Sequence, residues 1–228
     1  MLKLLKDSNR LHEAVFMLCL SLFCFGASIF RCLYTHTFGF IFLNWNLFLA
    51  FIPWALSTFL TMSKKRTNVH DRIFTAIVML VWLLFFPNAP YILTDLFHLR
   101  RIALMPIWFD LVMILSFAWT GLLFGFLSLW DIERMLSARI TKRRNVKIIS
   151  SVLLFVGSFG VYIGRYLRWN SWDIVAQPFR VLRDITDRII NPFGHQTTWG
   201  LTIFMGIFLN MIYWSLDLLR TRKTVNNF

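Results

Sequence analysis

Apolar residues run along this chain in long blocks rather than in alternation. Six blocks stand out: about His12 to Leu33, Gly39 to Met62, Arg72 to Leu96, Leu104 to Trp130, Val146 to Leu167 and Thr198 to Leu219. Each carries almost no charge over roughly 20 residues, the length that takes a helix across about 30 Å of hydrocarbon. In lipid, an isolated apolar run satisfies its own backbone only as a helix. The pattern therefore predicts an all-α, polytopic transmembrane bundle of about six spans. No internal repeat or low-complexity linker divides the chain, which reads as a single membrane domain, 1–228.

The stretch "FFPNAPYILTDLFHLRR", Phe85 to Arg101, departs from the block pattern. Pro87 and Pro90 each lack an N–H and crowd the carbonyl four residues back. Phe86, before a proline, is pushed from helical geometry. Asn88 suits a helix N-cap, with Pro90 in the first turn. The prediction is a break near Phe86 to Asn88 and a second helix to about Arg100. The helix from Arg72 to Phe86 rises only about 22 Å, so the break falls inside the bilayer. Asn88, Tyr91, Asp95 and His98 follow at helical spacing and share one face. Two readings stand: a proline kink with an ordinary interfacial end, or a broken helix of the kind that binds ligands in transporters.

A second departure is "PFRVLRDITDRIINP", between spans five and six. Phe179, Leu182, Ile185 and Ile189 share one face, and Arg180–Asp184, Arg183–Asp187 and Asp184–Arg188 are i,i+4 pairs. This predicts an interfacial amphipathic helix bounded by Pro178 and Pro192. It serves either as a plain surface helix or as a lid over a cavity at that end. His195, just after it, reads as a solvated loop histidine.

Charge changes the picture in one respect. The chain is 57% hydrophobic and 15% charged, against about a quarter charged in soluble domains. The net charge of +13 does not signal nucleic acid, because its distribution is topological. With the N-terminus inside, sixteen of the 24 Lys and Arg residues fall in inner segments, which predicts cytoplasmic termini. The other eight, Arg31, Arg100, Arg101, Arg165, Arg168, Arg180, Arg183 and Arg188, are all arginine. The N-terminal "MLKLLKDSNR" resembles a signal sequence, but the apolar run after it is too long and lacks a cleavage motif. An uncleaved first span is expected. Cys19, Cys24 and Cys32 lie in that span without metal-ligand spacing and read as small membrane residues.

Under this topology, candidate chemistry gathers at the outer end. Asn44 and Asn46 open span two, and Asp110 opens span four. Arg165, Arg168, Asn170 and Asp173 lie where span five leaves the membrane. Ionisable groups within spans usually face the bundle interior or a cavity. The two arginines either pair with Asp95 and Asp110 or clamp a phosphate. Asp95, His98 and Asp110 have the donor types for a divalent metal, but only the first two have local spacing, so the cofactor stays open. "GLLFG" (Gly121–Gly125) and "GVYIG" (Gly160–Gly164) allow close helix approach. Contact of spans four and five would bring Arg165 near Asp110.

The stretch "FFPNAPYILTDLFHL", with "WFDLVMILSFAWTGLLFGFLSL" and "YIGRYLRWNSWD", resembles the bacterial DUF1361 family of membrane proteins over roughly spans three to six. The resemblance implies a multi-pass protein of a bacterial cell membrane. It carries no substrate, cofactor or catalytic residue. Three classes of function remain. The first is an outward polar cavity for an anionic lipid headgroup or lipid-linked intermediate. There Asn88, Tyr91, Asp110, Asn170 and Asp173 line the site, Asp95 or His98 is the acid/base, and Arg165 and Arg168 clamp phosphate. The second is a transporter. The third is a non-enzymatic assembly partner of cell-envelope machinery. The expected partners are membrane lipids and other membrane proteins, not nucleic acid.

Overall fold

A computed structural model describes residues 10–63, 68–99 and 105–225. The predicted basic N-terminal stretch Met1–Asn9 and the connections Lys64–Thr67 and Arg100–Leu104 lie outside them, as does the predicted end of the second helix at Arg100. Among the described residues the fold is all-helical. The helices are α1 (Leu11–Thr35), α2 (Phe42–Met62), α3 (Val69–Phe85), α4 (Asn88–Tyr91), α5 (Ile107–Ser137), α6 (Arg143–Tyr166), α7 (Asp173–Ala176), α8 (Pro178–Ile190) and α9 (Gln196–Val225). Short 3-10 helices cover Ile92–His98 and Pro192–His195. Six segments are long and apolar enough to cross a membrane: α1, α2, Val69–His98, α5, α6 and Pro192–Arg220. The chain is a polytopic helical membrane protein. It divides into two compact units, Met1–Met135 and Leu136–Phe228.

In the first unit, α1 and α5 are antiparallel and share a seam. From the N-cap of α1 onward, Arg10, Met17, Cys24 and Arg31 recur every seventh residue, and all are buried. On α5, Asp110, Phe117, Phe124 and Asp131 do the same. A seven-residue interval keeps one stripe turned to a partner helix as the two supercoil. The seam closes at both ends with charge: Arg10 donates to Asp131, and Arg31 to Asp110. Midway, Cys24 Sγ lies 3.5 Å from Thr120 Oγ1. Ala14, Ser21, Ser28 and Thr35 form a second heptad row on α1, and such small side chains let helices approach closely.

The prolines act through hydrogen bonding rather than through dihedral angles. Phe86 is not expelled from the helical region, as its place before a proline predicts; it sits at φ −54, ψ −39, and Pro87 follows at φ −59, ψ −24. What changes is the donor pattern. Pro90 has no N–H for the Phe86 carbonyl, and the Ala89 N–H takes that acceptor instead, at 3.1 Å. This strips the Phe85 carbonyl of its usual partner, and Asn88 Nδ2 donates to it at 2.9 Å. Asn88 therefore closes the preceding helix and does not cap a new one; Pro87 holds the N-cap position. Beyond Tyr91 the chain tightens into the 3-10 helix. The interrupted segment packs under the first glycine pair. A Cβ on Gly121 would stand 2.8 Å from Ile92 Cδ1, and one on Gly125 would stand 2.9 Å from Ala89 Cβ.

In the second unit, α6 and α9 pack along each other, with Phe155 seated on Gly206. Lys147 Nζ donates to Tyr213 Oη at 2.7 Å and to Asp217 Oδ1 at 2.9 Å, tying one end of the pair. The other end carries α7 and α8. Of the three charge pairs predicted on α8, Asp184–Arg188 forms, at 3.9 Å. Arg180 instead donates to Gln177, and Asp187 meets His195 Nε2 at 2.8 Å. His195 is thus held by a carboxylate on α8, not simply solvated.

Candidate functional site

Asp95 and His98 lie three residues apart on the 3-10 helix, where side chains at that interval eclipse. Asp95 is 1% exposed, while the His98 side chain is 43% exposed. Their closest approach is 3.9 Å, from His98 Nδ1 to Asp95 Oδ1. Asn46 Nδ2, from α2, donates to Asp95 Oδ2 at 2.7 Å. The Phe42 ring lies against the imidazole at 5.0 Å. One buried carboxylate, one amide donor and one half-exposed imidazole thus meet at this end of the first unit. Asn44, two residues earlier on α2, points to another side of that helix and donates to Ser28 at 3.0 Å. Tyr91 and Asn88, predicted on the same face, are half-buried. The face does not run through them, because Asn88 turns back to Phe85 and the helix changes pitch after Tyr91.

Asp110 belongs to a different arrangement from the one predicted. Its partner within the first unit is Arg31. Arg31 Nε donates to Oδ1 at 2.7 Å and Nη2 to Oδ2 at 3.1 Å. This is the two-pronged geometry that a guanidinium makes with a carboxylate. Arg31 Nη1 reaches Thr37 Oγ1 at 3.2 Å, and the Phe40 ring covers the guanidinium at 4.3 Å. Both residues are at most 2% exposed. Phe40 and Phe42 lie 6.1 Å apart and link this pair to the Asp95 cluster.

The remaining predicted residues lie in the second unit. Arg165 ends α6, and Arg168 is exposed in the left-handed region, at φ 58. Asn170 and Asp173 face each other: the Asn170 backbone N–H and Nδ2 both donate to Asp173 Oδ2, at 2.6 and 3.2 Å. They build the turn that starts α7. Among the described residues no group of three His, Cys, Asp or Glu could hold a metal ion. The predicted trio fails at Asp110, whose two oxygens are engaged by Arg31.

At the opposite end of the α1–α5 seam lies a network the charge reading passed over. Arg10 Nη2 donates to Asp131 Oδ2 and Glu13 Oε1, and Nη1 donates to Thr58 and Thr61. Ser57 Oγ donates to Asp131 at 2.9 Å, and Trp54 Nε1 to Glu13 at 2.9 Å. Spacing was the signal that could have found both ends. Arg10 and Arg31 are 21 residues apart, and so are Asp110 and Asp131. At about 1.5 Å per residue that is about 31 Å, close to the thickness of the hydrocarbon layer.

A cavity of about 780 Å³ runs between α1 and α2, from Ala14 to Phe25 on one wall and Leu47 to Ser63 on the other, with Phe124 of α5 at its back. Its lining is almost wholly apolar. Ala14, Ser21 and Ala55 open it, and Phe48, Phe51 and Phe59 flank it. Thr58 stands both in its wall and in the Arg10 network. The sequence predicts a polar cavity among Asp95, Asp110 and the arginines. The groove found here is apolar and adjoins the other polar cluster.

A six-span membrane protein with two polar clusters at the ends of one helical seam is the class these observations define. The family model described as "Protein of unknown function (DUF1361)" matches residues 45–212, and the chain belongs to that family. No match was found among curated proteins or among solved structures.

Proposed function

We propose that this protein binds a membrane lipid by its hydrocarbon chain, in the groove between α1 and α2. One observation carries the reading: an apolar groove of about 780 Å³ lies between two membrane-spanning helices. That volume is within the range of about 300–1,000 Å³ typical of ligand sites. A wall of Met, Leu and Phe at hydrocarbon depth selects an acyl or polyisoprenyl chain over any polar solute. The groove ends at Thr58 and Ser63, so a lipid headgroup there would meet the Arg10 network. By the distribution of lysine and arginine, that is the cytoplasmic leaflet. The expected result is that lipid copurifies with the protein through detergent exchange and is seen by native mass spectrometry. Ala55→Trp, which fills the groove, would remove it without unfolding the protein. Equal lipid retention by the filled variant would overturn the reading.

A second reading is favoured by the Asp95 cluster. A carboxylate at 1% exposure beside a half-exposed imidazole is an arrangement suited to acid/base chemistry on a group arriving from the membrane surface. On this reading His98 meets the incoming group and Asp95 orients the imidazole, with Asn46 fixing the carboxylate. Anionic lipids or lipid phosphates should then raise the melting temperature of the wild type but not of His98→Ala. A shift of equal size in both would rule the site out.

A further inference from the structure

The helix α8 in the second unit has three distinct sides, and each meets something different. Val181, Asp184 and Arg188 form the inward side. Val181 is 3% exposed, Trp169 Nε1 donates to Asp184 Oδ2 at 2.8 Å, and Trp199 Nε1 donates to the Arg188 carbonyl at 3.0 Å. Arg180, Arg183 and Asp187 form an exposed charged side. The third side is apolar and open: Phe179 is 84% exposed, Ile190 75%, Leu182 58% and Ile189 56%. Phe193, just beyond the helix, is 89% exposed and extends this edge.

The indole bonds explain the orientation. With Trp169 and Trp199 fixing one side, the helix cannot roll to hide Phe179 or Leu182. An apolar edge of this kind, held open by docking, needs an occupant. Chain continuity indicates which. Tyr166 ends one membrane-crossing helix and Pro192 begins the next crossing segment, so α8 is tethered to the bilayer through Asn191 at one end and through the segment 167–177 at the other. Tryptophan at positions 169, 172 and 199 supplies the aromatic residues enriched at that depth. The arginines on the charged side complement lipid phosphate.

We infer that α8 lies in the membrane–water interface, with Phe179, Leu182, Ile189 and Ile190 in the acyl-chain boundary and Arg180 and Arg183 at the level of lipid phosphates. The occupant of the open edge is the bilayer, not a protein. The test is photo-crosslinking of the full chain with p-benzoylphenylalanine in place of Leu182, Ile189 or Asp187. It is run in nanodiscs of phosphatidylcholine and phosphatidylglycerol and, in parallel, in native membranes. Several-fold more lipid adduct is expected at Leu182 and Ile189 than at Asp187. Arg180→Gln with Arg183→Gln should lower the phosphatidylglycerol share of those adducts. Equal adduct at all three positions, or adducts to protein rather than lipid at Leu182 in native membranes, would overturn the inference. An unchanged phosphatidylglycerol share would overturn the phosphate assignment.

Discussion

The two ends of the α1–α5 seam use the same ion pair in opposite ways. At one end Arg31 and Asp110 are closed on each other: all three guanidinium nitrogens are bonded, two to the carboxylate and one to a hydroxyl, under an aromatic lid. At the other end Arg10 and Asp131 share their bonds with Ser57, Thr58, Thr61 and Glu13, and Thr58 also forms part of the groove wall. The first is a lock between two helices. The second is a network over three helices that borders an open apolar space. A buried Arg–Asp pair is therefore not in itself a functional mark; what surrounds the pair decides its role.

Breaking the lock should have the largest effect. Arg31→Ala or Asp110→Ala strands one charge in a dry interface, and the expected loss is about 3–5 kcal/mol, read as a steep fall in stability in detergent. The exchange of Arg31→Asp with Asp110→Arg should recover part of that loss. A swap no more stable than either single variant would mean that the pair does not join the helices as described. Asp131→Asn should cost less, about 1–3 kcal/mol, because Arg10 keeps Glu13, Thr58 and Thr61. If Asp131→Asn proves as damaging as Asp110→Ala, the contrast between the ends fails. The smallest effect is expected for Trp54→Phe, which removes the bond to Glu13 and trims a ring packed on Phe51 and Phe124; the lost bond should cost about 0.5–1.5 kcal/mol. A larger loss would show that the packing of Trp54 on Phe51 and Phe124, not its bond to Glu13, carries its contribution.

Much of the fold was legible because lipid leaves a chain few options. The six blocks became six spans, and the amphipathic stretch became α8 within its two prolines. The proline segment was half legible. Missing N–H groups could be counted from sequence, but not their rescue by the Ala89 N–H and the Asn88 side chain, which kept Phe86 helical. Asp95 and His98 are near each other because three residues separate them. Asn46, far off in the chain, has no local signal. Arg31 was the costliest miss. It stood among the eight arginines outside the inner segments and was given no partner, although an arginine inside an apolar span is expected to seek a buried one. The shared 21-residue spacing of Arg10–Arg31 and Asp110–Asp131 would have named that partner. It would also have withdrawn Asp110 from the metal and phosphate readings. The bonds between Asn170 and Asp173 had a local signal of their own: short polar side chains next to a helix start commonly serve turns.

The central claim is that the groove between α1 and α2 holds a lipid chain. Native mass spectrometry of the protein, purified from membranes and activated in steps, tests it most directly. The predicted result is a lipid adduct that survives detergent removal in the wild type and disappears in Ala55→Trp, with both proteins showing the same melting temperature after complete delipidation. An adduct retained by Ala55→Trp, or a wild type that carries none, would contradict it.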